Sequence, residues 1–93
     1  MEFEWDETKN NKNLAKHELD FNQAKEVFYD NKKIESPDKR FNYNEDRFKV
    51  IGKAKDLIIT VIYTLRNTVI RIISARLASK KERHEYLNQN EQL

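Results

Sequence analysis

The chain has 93 residues, of which 38% are hydrophobic and 37% charged, and its formal net charge is +2. This composition is typical of one soluble domain with a small core, so we predict a single domain over residues 1–93. The absence of cysteine excludes disulfides and thiolate metal sites, and with only two histidines we expect neither a metal nor a cofactor. No apolar run reaches the ~20 residues of a membrane span, and the polar N-terminus is unlike a signal peptide, so we expect a cytoplasmic protein without a membrane partner.

The charges are distributed unevenly along the chain. Residues 1–30 contain four Lys or Arg and eight Asp or Glu, a net charge of −4. Residues 66–86 contain six basic and two acidic residues, a net charge of +4. This asymmetry favours a basic end that binds a polyanion, although a mixed solvated surface would give the same counts.

The N-terminal residues predict a short strand followed by a helix. Phe3 and Trp5 alternate with acidic residues, the pattern of a strand with one buried face. Asp6 suits the N-cap of a helix over about Glu7–Glu18, which has few apolar residues and is therefore expected on the surface.

A second helix is predicted to begin at Asp20 and to end at Asp30. Its apolar residues recur at helical spacing and are expected to pack on a sheet. They are Phe21, Ala24, Val27 and Phe28.

The middle of the chain predicts a loop and then a strand. Residues 31–44 are polar and contain Pro37, which favours a loop with some strand character at its start. Arg47–Lys53 alternates in the manner of a strand, within which Gly52 indicates a bulge or a close approach of another backbone.

Two β-branched runs around Arg66 and Asn67 predict a central hairpin with strands at about Leu57–Leu65 and Thr68–Arg76. Asparagine tolerates the positive φ that a tight turn needs. The first strand is apolar on both faces, so we predict that it is central in its sheet and at least partly covered on each side.

The second strand of this hairpin carries two charges in an apolar run. Arg71 and Arg76 would be costly to bury without partners. Because they are five positions apart, they point to opposite faces unless a bulge intervenes. Their presence indicates an edge, a groove or a bound anion.

The last predicted element is a helix from Leu77 to about Asn88, followed by a frayed tail over residues 88–93. The fold class is therefore α+β. We predict a small antiparallel sheet of about four strands, with two N-terminal helices and one C-terminal helix packed on it.

Both halves of the chain carry residues that match a known pattern. In the N-terminal half these are Phe3, Trp5-Asp6, Lys9, Asn13, Lys16-His17, Phe21, Ala24, Val27-Phe28 and Asp30. In the C-terminal half they are Glu45, Arg47, Ile51-Gly52, Tyr63-Thr64, Arg66, the run from Ile70 to Arg76, Ala78, Glu82 and Tyr86. In this pattern the chain resembles the BrnT family, the ribonuclease toxins of a bacterial toxin–antitoxin system.

The chain departs from the family pattern at two positions. Glu18 stands where the family commonly has a glycine that ends the first helix. Leu65 stands where an acidic residue often precedes the arginine of the hairpin turn. Neither change touches the arginine-containing run.

The resemblance implies a RelE-like fold and a protein that cleaves RNA without a metal, thereby inhibiting translation. It also implies neutralisation by a cognate DNA-binding antitoxin with a ribbon-helix-helix domain (BrnA-like), in a hetero-oligomer. Two alternatives remain open on the same fold: a non-catalytic module that binds nucleic acid, and an attenuated toxin whose basic surface only binds an acidic antitoxin segment.

Metal-free RNA cleavage needs cations that stabilise the charge developing on phosphorus. Arginine suits this role because its planar fork holds two phosphate oxygens while staying charged. Arg71 and Arg76 are therefore the leading catalytic candidates. Alternatively, one of them pairs with a carboxylate such as Glu45 or Glu82.

The candidates for proton transfer are Glu82, His84 and Tyr86, with His17 as a further candidate. Histidine titrates near neutral pH, which suits a general base. His17 is equally suited to capping the last carbonyls of its helix, and Tyr86 to anchoring the C-terminal helix in the core.

The candidates for RNA binding lie on the hairpin and at the start of the C-terminal helix. Tyr63 would stack on a base while Arg66 contacts its phosphate, or it is an ordinary core tyrosine. Lys80 and Lys81 are the further phosphate-binding candidates.

Overall fold

The computed structural model describes residues 1–40 and 44–91, except for the side chains of residues 90–91. It contains five strands and three α-helices, which confirms the α+β class. The strands are β1 (Glu2–Glu4), β2 (Ile34–Pro37), β3 (Phe48–Ala54), β4 (Leu57–Arg66) and β5 (Val69–Leu77). The helices are α1 (Glu7–His17), α2 (Phe21–Ala24) and α3 (Lys80–Glu91), and a 3₁₀ helix, Lys25–Tyr29, follows α2 directly.

The sheet has the strand order β1-β5-β4-β3-β2. This sheet differs slightly, in two respects, from the predicted sheet of about four antiparallel strands. The segment Ile34–Pro37 was predicted as a loop with strand character and is an edge strand paired with β3, where a proline is tolerated at the end. The pair β1–β5 is parallel, with Phe3 opposite Ile70, so the sheet is mixed.

Several element boundaries differ from those predicted. The second helix is α-helical only over Phe21–Ala24 and continues as the 3₁₀ helix. Strand β5 runs on to Leu77, so α3 begins at Lys80 and not at Leu77. It continues to Glu91 and thus past Asn88, while residues 92–93 of the predicted tail lie outside the described part.

The predicted hairpin is confirmed. Strands β4 and β5 are joined by Asn67 and Thr68, and Asn67 has the positive φ, 58°, that its identity predicts. The central position of β4 is also confirmed, since residues 59–64 are all buried.

One face of the sheet is covered by α1, α2 and the 3₁₀ helix and forms the core with them. The predicted apolar stripe of the second helix lies here, and Phe28 makes an edge-on contact with Tyr63 at 5.0 Å between ring centroids. Gly52 confirms the predicted close approach, because a Cβ at this position would lie 3.2 Å from Cβ of Val27. The opposite face carries the polar residues of β4 and β5.

A bulge in β5 decides which way the two arginines point. Ile62 is opposite Ser74 but Tyr63 is opposite Ile72, so one extra residue of β5, Ile73, interrupts the register. As a result Arg71 lies opposite Thr64 and Arg76 opposite Thr60, and these threonines, four residues apart on β4, share a face. Both arginines therefore project on the polar face.

Candidate functional site

On the polar face, the buried carboxylate of Glu82 accepts five hydrogen bonds. Arg76 forms a bidentate ion pair with this carboxylate, with Nη1 2.6 Å from Oε1 and Nη2 3.0 Å from Oε2. Thr60 Oγ1 donates at 3.0 Å, the Ser79 backbone N–H at 2.8 Å and Lys49 Nζ at 3.3 Å. The alternative that one arginine pairs with Glu82 is thus the observed arrangement for Arg76.

The start of α3 places this carboxylate. The Glu82 backbone N–H donates to Ser79 Oγ at 3.1 Å while the Glu82 carboxylate accepts from the Ser79 N–H, a reciprocal capping box. This Ser-x-x-Glu pattern is visible in the sequence and would have placed the helix start at Lys80. The cap therefore positions the Glu82 carboxylate in addition to its contact with Arg76.

The environment of Glu82 keeps it ionised. Burial on its own would raise the pKa of this carboxyl, but the hydrogen bond and charge of Arg76, with the bonds from Ser79 and Thr60, hold the pKa well below its usual range. A carboxylate in this state neither gives nor takes a proton near neutral pH.

Arg71 has a different partner in a more open setting. Its Nη1 lies 2.6 Å from a carboxylate oxygen of Glu4 on the adjacent strand β1. The Arg71 and Glu4 side chains are 24% and 39% exposed, whereas the Glu82 side chain is only 7% exposed. The two arginines share a face but have partners of unequal burial. Glu45, the other carboxylate considered for them, pairs with Arg47.

A shallow pocket of about 360 Å³ lies beside Arg76, between the end of α1 and β5. It is lined by Ala15, Lys16, His17, Glu18, Arg76 and Leu77. His17 lies in the last turn of α1, where the helix dipole favours a basic residue, and its imidazole makes no side-chain hydrogen bond to the described residues. His17 and Arg76 thus line the same pocket.

The turn that delivers His17 contains the first departure from the family pattern. Glu18 is in the left-handed conformation, with φ 59° and ψ 27°, and its N–H donates to the Leu14 carbonyl. This conformation favours glycine, so the glutamate takes the shape of the turn at a cost in strain.

Asn13, which the sequence showed only as one residue of the family pattern, has a structural role in this region. Its side-chain amide donates to the carbonyl of Ala75 at 2.8 Å and accepts from the Ala75 N–H at 3.1 Å. It also donates to the carbonyl of Leu19 at 3.0 Å. The Asn13 side chain therefore makes the hydrogen bonds that a neighbouring strand would make with β5. These bonds fix the backbone of Ala75, the residue before Arg76. Its place in the family pattern marks Asn13 in the sequence, but the pattern does not identify Ala75, 62 residues away, as its partner.

Two of the predicted tyrosines are core residues. Tyr86 is buried, and its hydroxyl donates to Asp30 Oδ2 at 2.6 Å. Burial first, and this bond second, raise the pKa of Tyr86 well above its usual value. Tyr63 packs between Phe28 and Phe48, and burial, with a smaller contribution from Glu35, raises its pKa to about 12. Both occupy the core positions that the sequence left open as alternatives.

The remaining predicted residues are exposed and lie on two separate elements. His84 projects from α3, where its Nε2 lies 2.8 Å from Nδ2 of Asn88. Lys80 and Lys81 lie at the start of the same helix and Arg66 at the end of β4. None of them lines the pocket beside Arg76.

Within residues 1–40 and 44–91, no group of three or more His, Asp or Glu side chains is arranged to hold a metal ion. No described helix is both long and apolar enough to cross a membrane.

The chain was compared with models of protein families. The model described as "Ribonuclease toxin, BrnT, of type II toxin-antitoxin system" matches residues 5–82. The matched segment includes His17, Arg71, Arg76 and Glu82 and ends before His84 and Tyr86. A search of curated proteins found no match.

Proposed function

Because this chain belongs to the BrnT family of ribonuclease toxins of type II toxin–antitoxin systems, we propose that it is a metal-independent endoribonuclease whose cleavage of RNA inhibits translation. The observation that carries the proposal is the setting of Arg76. One side of its guanidinium is fixed by Glu82, and the residue also lines a pocket that contains His17.

The guanidinium of Arg76 has donors left for a substrate. An arginine carries five N–H groups. Contacts with Glu82 and with the Leu77 carbonyl use three of them, so two remain without a partner among the described residues. Because Glu82 prevents rotation of the group, these donors are already oriented when RNA arrives.

The proposed reaction is an intramolecular transesterification. The 2′-oxygen of RNA attacks the adjacent phosphorus, so a P–O2′ bond forms and the P–O5′ bond breaks, leaving a 2′,3′-cyclic phosphate and a 5′-hydroxyl. His17 accepts the proton of the 2′-hydroxyl, and water in the open pocket protonates the leaving 5′-oxygen. Arg76 stabilises the additional charge on the phosphorane oxygens.

The other candidate residues take supporting roles in this proposal. Glu82 is a positioning residue, because its lowered pKa and five donors make it a fixed anion. Lys80, Lys81, Arg66 and Arg71 contact RNA phosphates outside the cleavage point. His84 and Tyr86 have no assigned step.

The test is digestion of RNA by purified protein in the presence of a chelator, with detection of the cyclic phosphate. Arg76→Ala is expected to lower kcat by about 10²–10³-fold, as for the loss of one oxyanion donor. Arg76→Lys keeps the charge opposite Glu82 but loses the fork, so a folded and inactive Arg76→Lys separates catalysis from stability. Lys12→Ala, on the exposed surface of α1, is the control and should match wild type. Wild-type activity of Arg76→Ala would remove this residue from the mechanism.

A second candidate function is a non-catalytic module that binds RNA or an antitoxin. It is favoured by the fact that both arginines already have carboxylate partners. This candidate predicts salt-dependent RNA binding with the RNA intact after long incubation. A cyclic phosphate product would exclude it.

We also propose that a cognate ribbon-helix-helix antitoxin (BrnA-like) neutralises the protein in a hetero-oligomer. The family places the chain in a type II system, and the basic exposed side of α3, with Lys80, Lys81 and Arg83, suits an acidic segment. Expression of this chain should arrest growth, and co-expression of the adjacent reading frame should restore it. Growth that is unaffected by the chain alone would contradict the toxin assignment for this member.

A further inference from the structure

Three arginines on the polar face form a line along β4 and β5. Arg76 lies opposite Thr60 and Arg71 opposite Thr64, while Arg66 lies two residues further along β4 on the same face. The levels of Thr60 and Arg66 are about 20 Å apart, at ~3.3 Å per residue. We call Arg76, Arg71 and Arg66 the arginine line.

The first two members of the arginine line cannot share a phosphate in this arrangement. Arg71 contacts Glu4 on β1, which lies on one side of β5. Arg76 contacts Glu82, which lies above β4 on the other side of β5. Their levels are about 13 Å apart along the strand, and their partners lie about two strand spacings, ~10 Å, apart across the sheet. The two guanidinium groups would therefore bind different phosphates.

The partners of these two arginines differ in how easily they are replaced. Glu4 accepts one bond from Arg71, and both side chains are partly exposed, so this pair contributes little to stability. Glu82 is buried and accepts five bonds, so it stays in place when RNA binds. An incoming phosphate would displace Glu4 from Arg71. At Arg76, a phosphate would bind the remaining N–H donors while Glu82 stays bound to the same guanidinium.

From this geometry we infer that Arg71 forms a phosphate subsite separate from the cleavage point, and that an RNA lying along β5 displaces Glu4 from it. The inference rests on the proposed function, because it takes Arg76 as the cleavage point. Arg66, at the end of β4, would contact the RNA further towards the hairpin turn.

The first experiment compares an unstructured octanucleotide with a dinucleoside monophosphate. Wild type is expected to cleave the octanucleotide with at least about tenfold higher kcat/KM, since one phosphate contact with arginine contributes that much. Arg71→Ala should remove this preference by raising KM for the octanucleotide, with the dinucleotide unaffected. Arg76→Ala should lower kcat for both substrates.

Removal of the competing carboxylate should have the opposite effect to removal of Arg71. Glu4→Gln is expected to lower KM for the octanucleotide by up to about fivefold, because no ion pair has to open. Glu2→Gln on the same strand is the matched control, and it removes a charge without removing a partner of Arg71. If Glu4→Gln and Glu2→Gln lower KM equally, the effect comes from the loss of any negative charge on β1. That result would contradict the displacement of Glu4 by RNA.

The second experiment measures binding independently of catalysis, with a 2′-deoxy octanucleotide that cannot be cleaved by this route. The slope of log affinity against log salt should be smaller by about 0.7 in Arg71→Ala than in wild type, the value for one phosphate of a single strand. An unchanged slope overturns the subsite even if wild type cleaves RNA. A reduced slope with no cleavage of RNA by wild type would uphold the subsite and reject the proposed reaction.

Discussion

The two halves of β5, on either side of the bulge, hold their arginines in contrasting ways. The first half pairs with the short strand β1 and presents Arg71 to a half-exposed carboxylate. The second half has the side chain of Asn13 in place of an outer strand and presents Arg76 to the buried Glu82. The partner of Arg71 is thus partly exposed, whereas the partner of Arg76 is buried. The same residue type acquires different properties from its neighbours.

The largest expected difference between the halves is in stability. Glu82→Ala leaves Arg76 and Lys49 next to the core without their counter-charge, so we expect the free energy of unfolding to fall by about 3–5 kcal/mol. Glu4→Ala opens an exposed pair and should cost under about 1 kcal/mol. Urea denaturation of both variants measures the contrast. Similar losses for the two would mean that the halves do not differ as their burial indicates.

Acid provides a second way to separate the halves. The pKa of Glu82 is lower in the folded chain than in the unfolded one, so its contribution to stability is present above the unfolded value of about 4.3. That contribution is lost as the pH falls further towards the folded value. Between pH ~5 and pH ~2, wild type should therefore lose more stability than Glu82→Gln.

The measurement is denaturation at each pH in this range. Glu85→Gln, on the exposed side of α3, should follow wild type. Parallel curves for wild type and Glu82→Gln would show that Glu82 is not the coupled group.

The smallest expected effect concerns the turn that closes the pocket of the second half. Glu18→Gly relieves the left-handed conformation, and we expect a gain of about 0.5–1 kcal/mol after the greater chain entropy of glycine is included. Lys16→Gly, within the last turn of α1, should instead lose about 0.5–1 kcal/mol. Thermal unfolding of the two variants tests this, and a loss of stability in Glu18→Gly would show that the turn is not strained.

Local features of the sequence predicted local features of the structure. Asp6 and Asp20 cap their helices as predicted, each accepting backbone N–H bonds. Asn67 forms the predicted turn, and the family pattern carried by the residues is confirmed by the match over residues 5–82. The site residues are predictions that only the experiments above test.

What the sequence by itself determined is whatever depends on a few neighbouring residues: the helix caps at Asp6 and Asp20, the hairpin turn at Asn67, the β-branched run of β4 and the close approach at Gly52. The tertiary structure alone decided that Ile73 is a bulge residue, that β1 joins β5 in parallel, and that Asn13, Glu4 and Glu82 surround the two arginines. The physical reason is that period and capping act over a few residues, whereas register and ion pairing join parts of the chain up to 67 residues apart. Such contacts form only when the whole sheet has selected one arrangement.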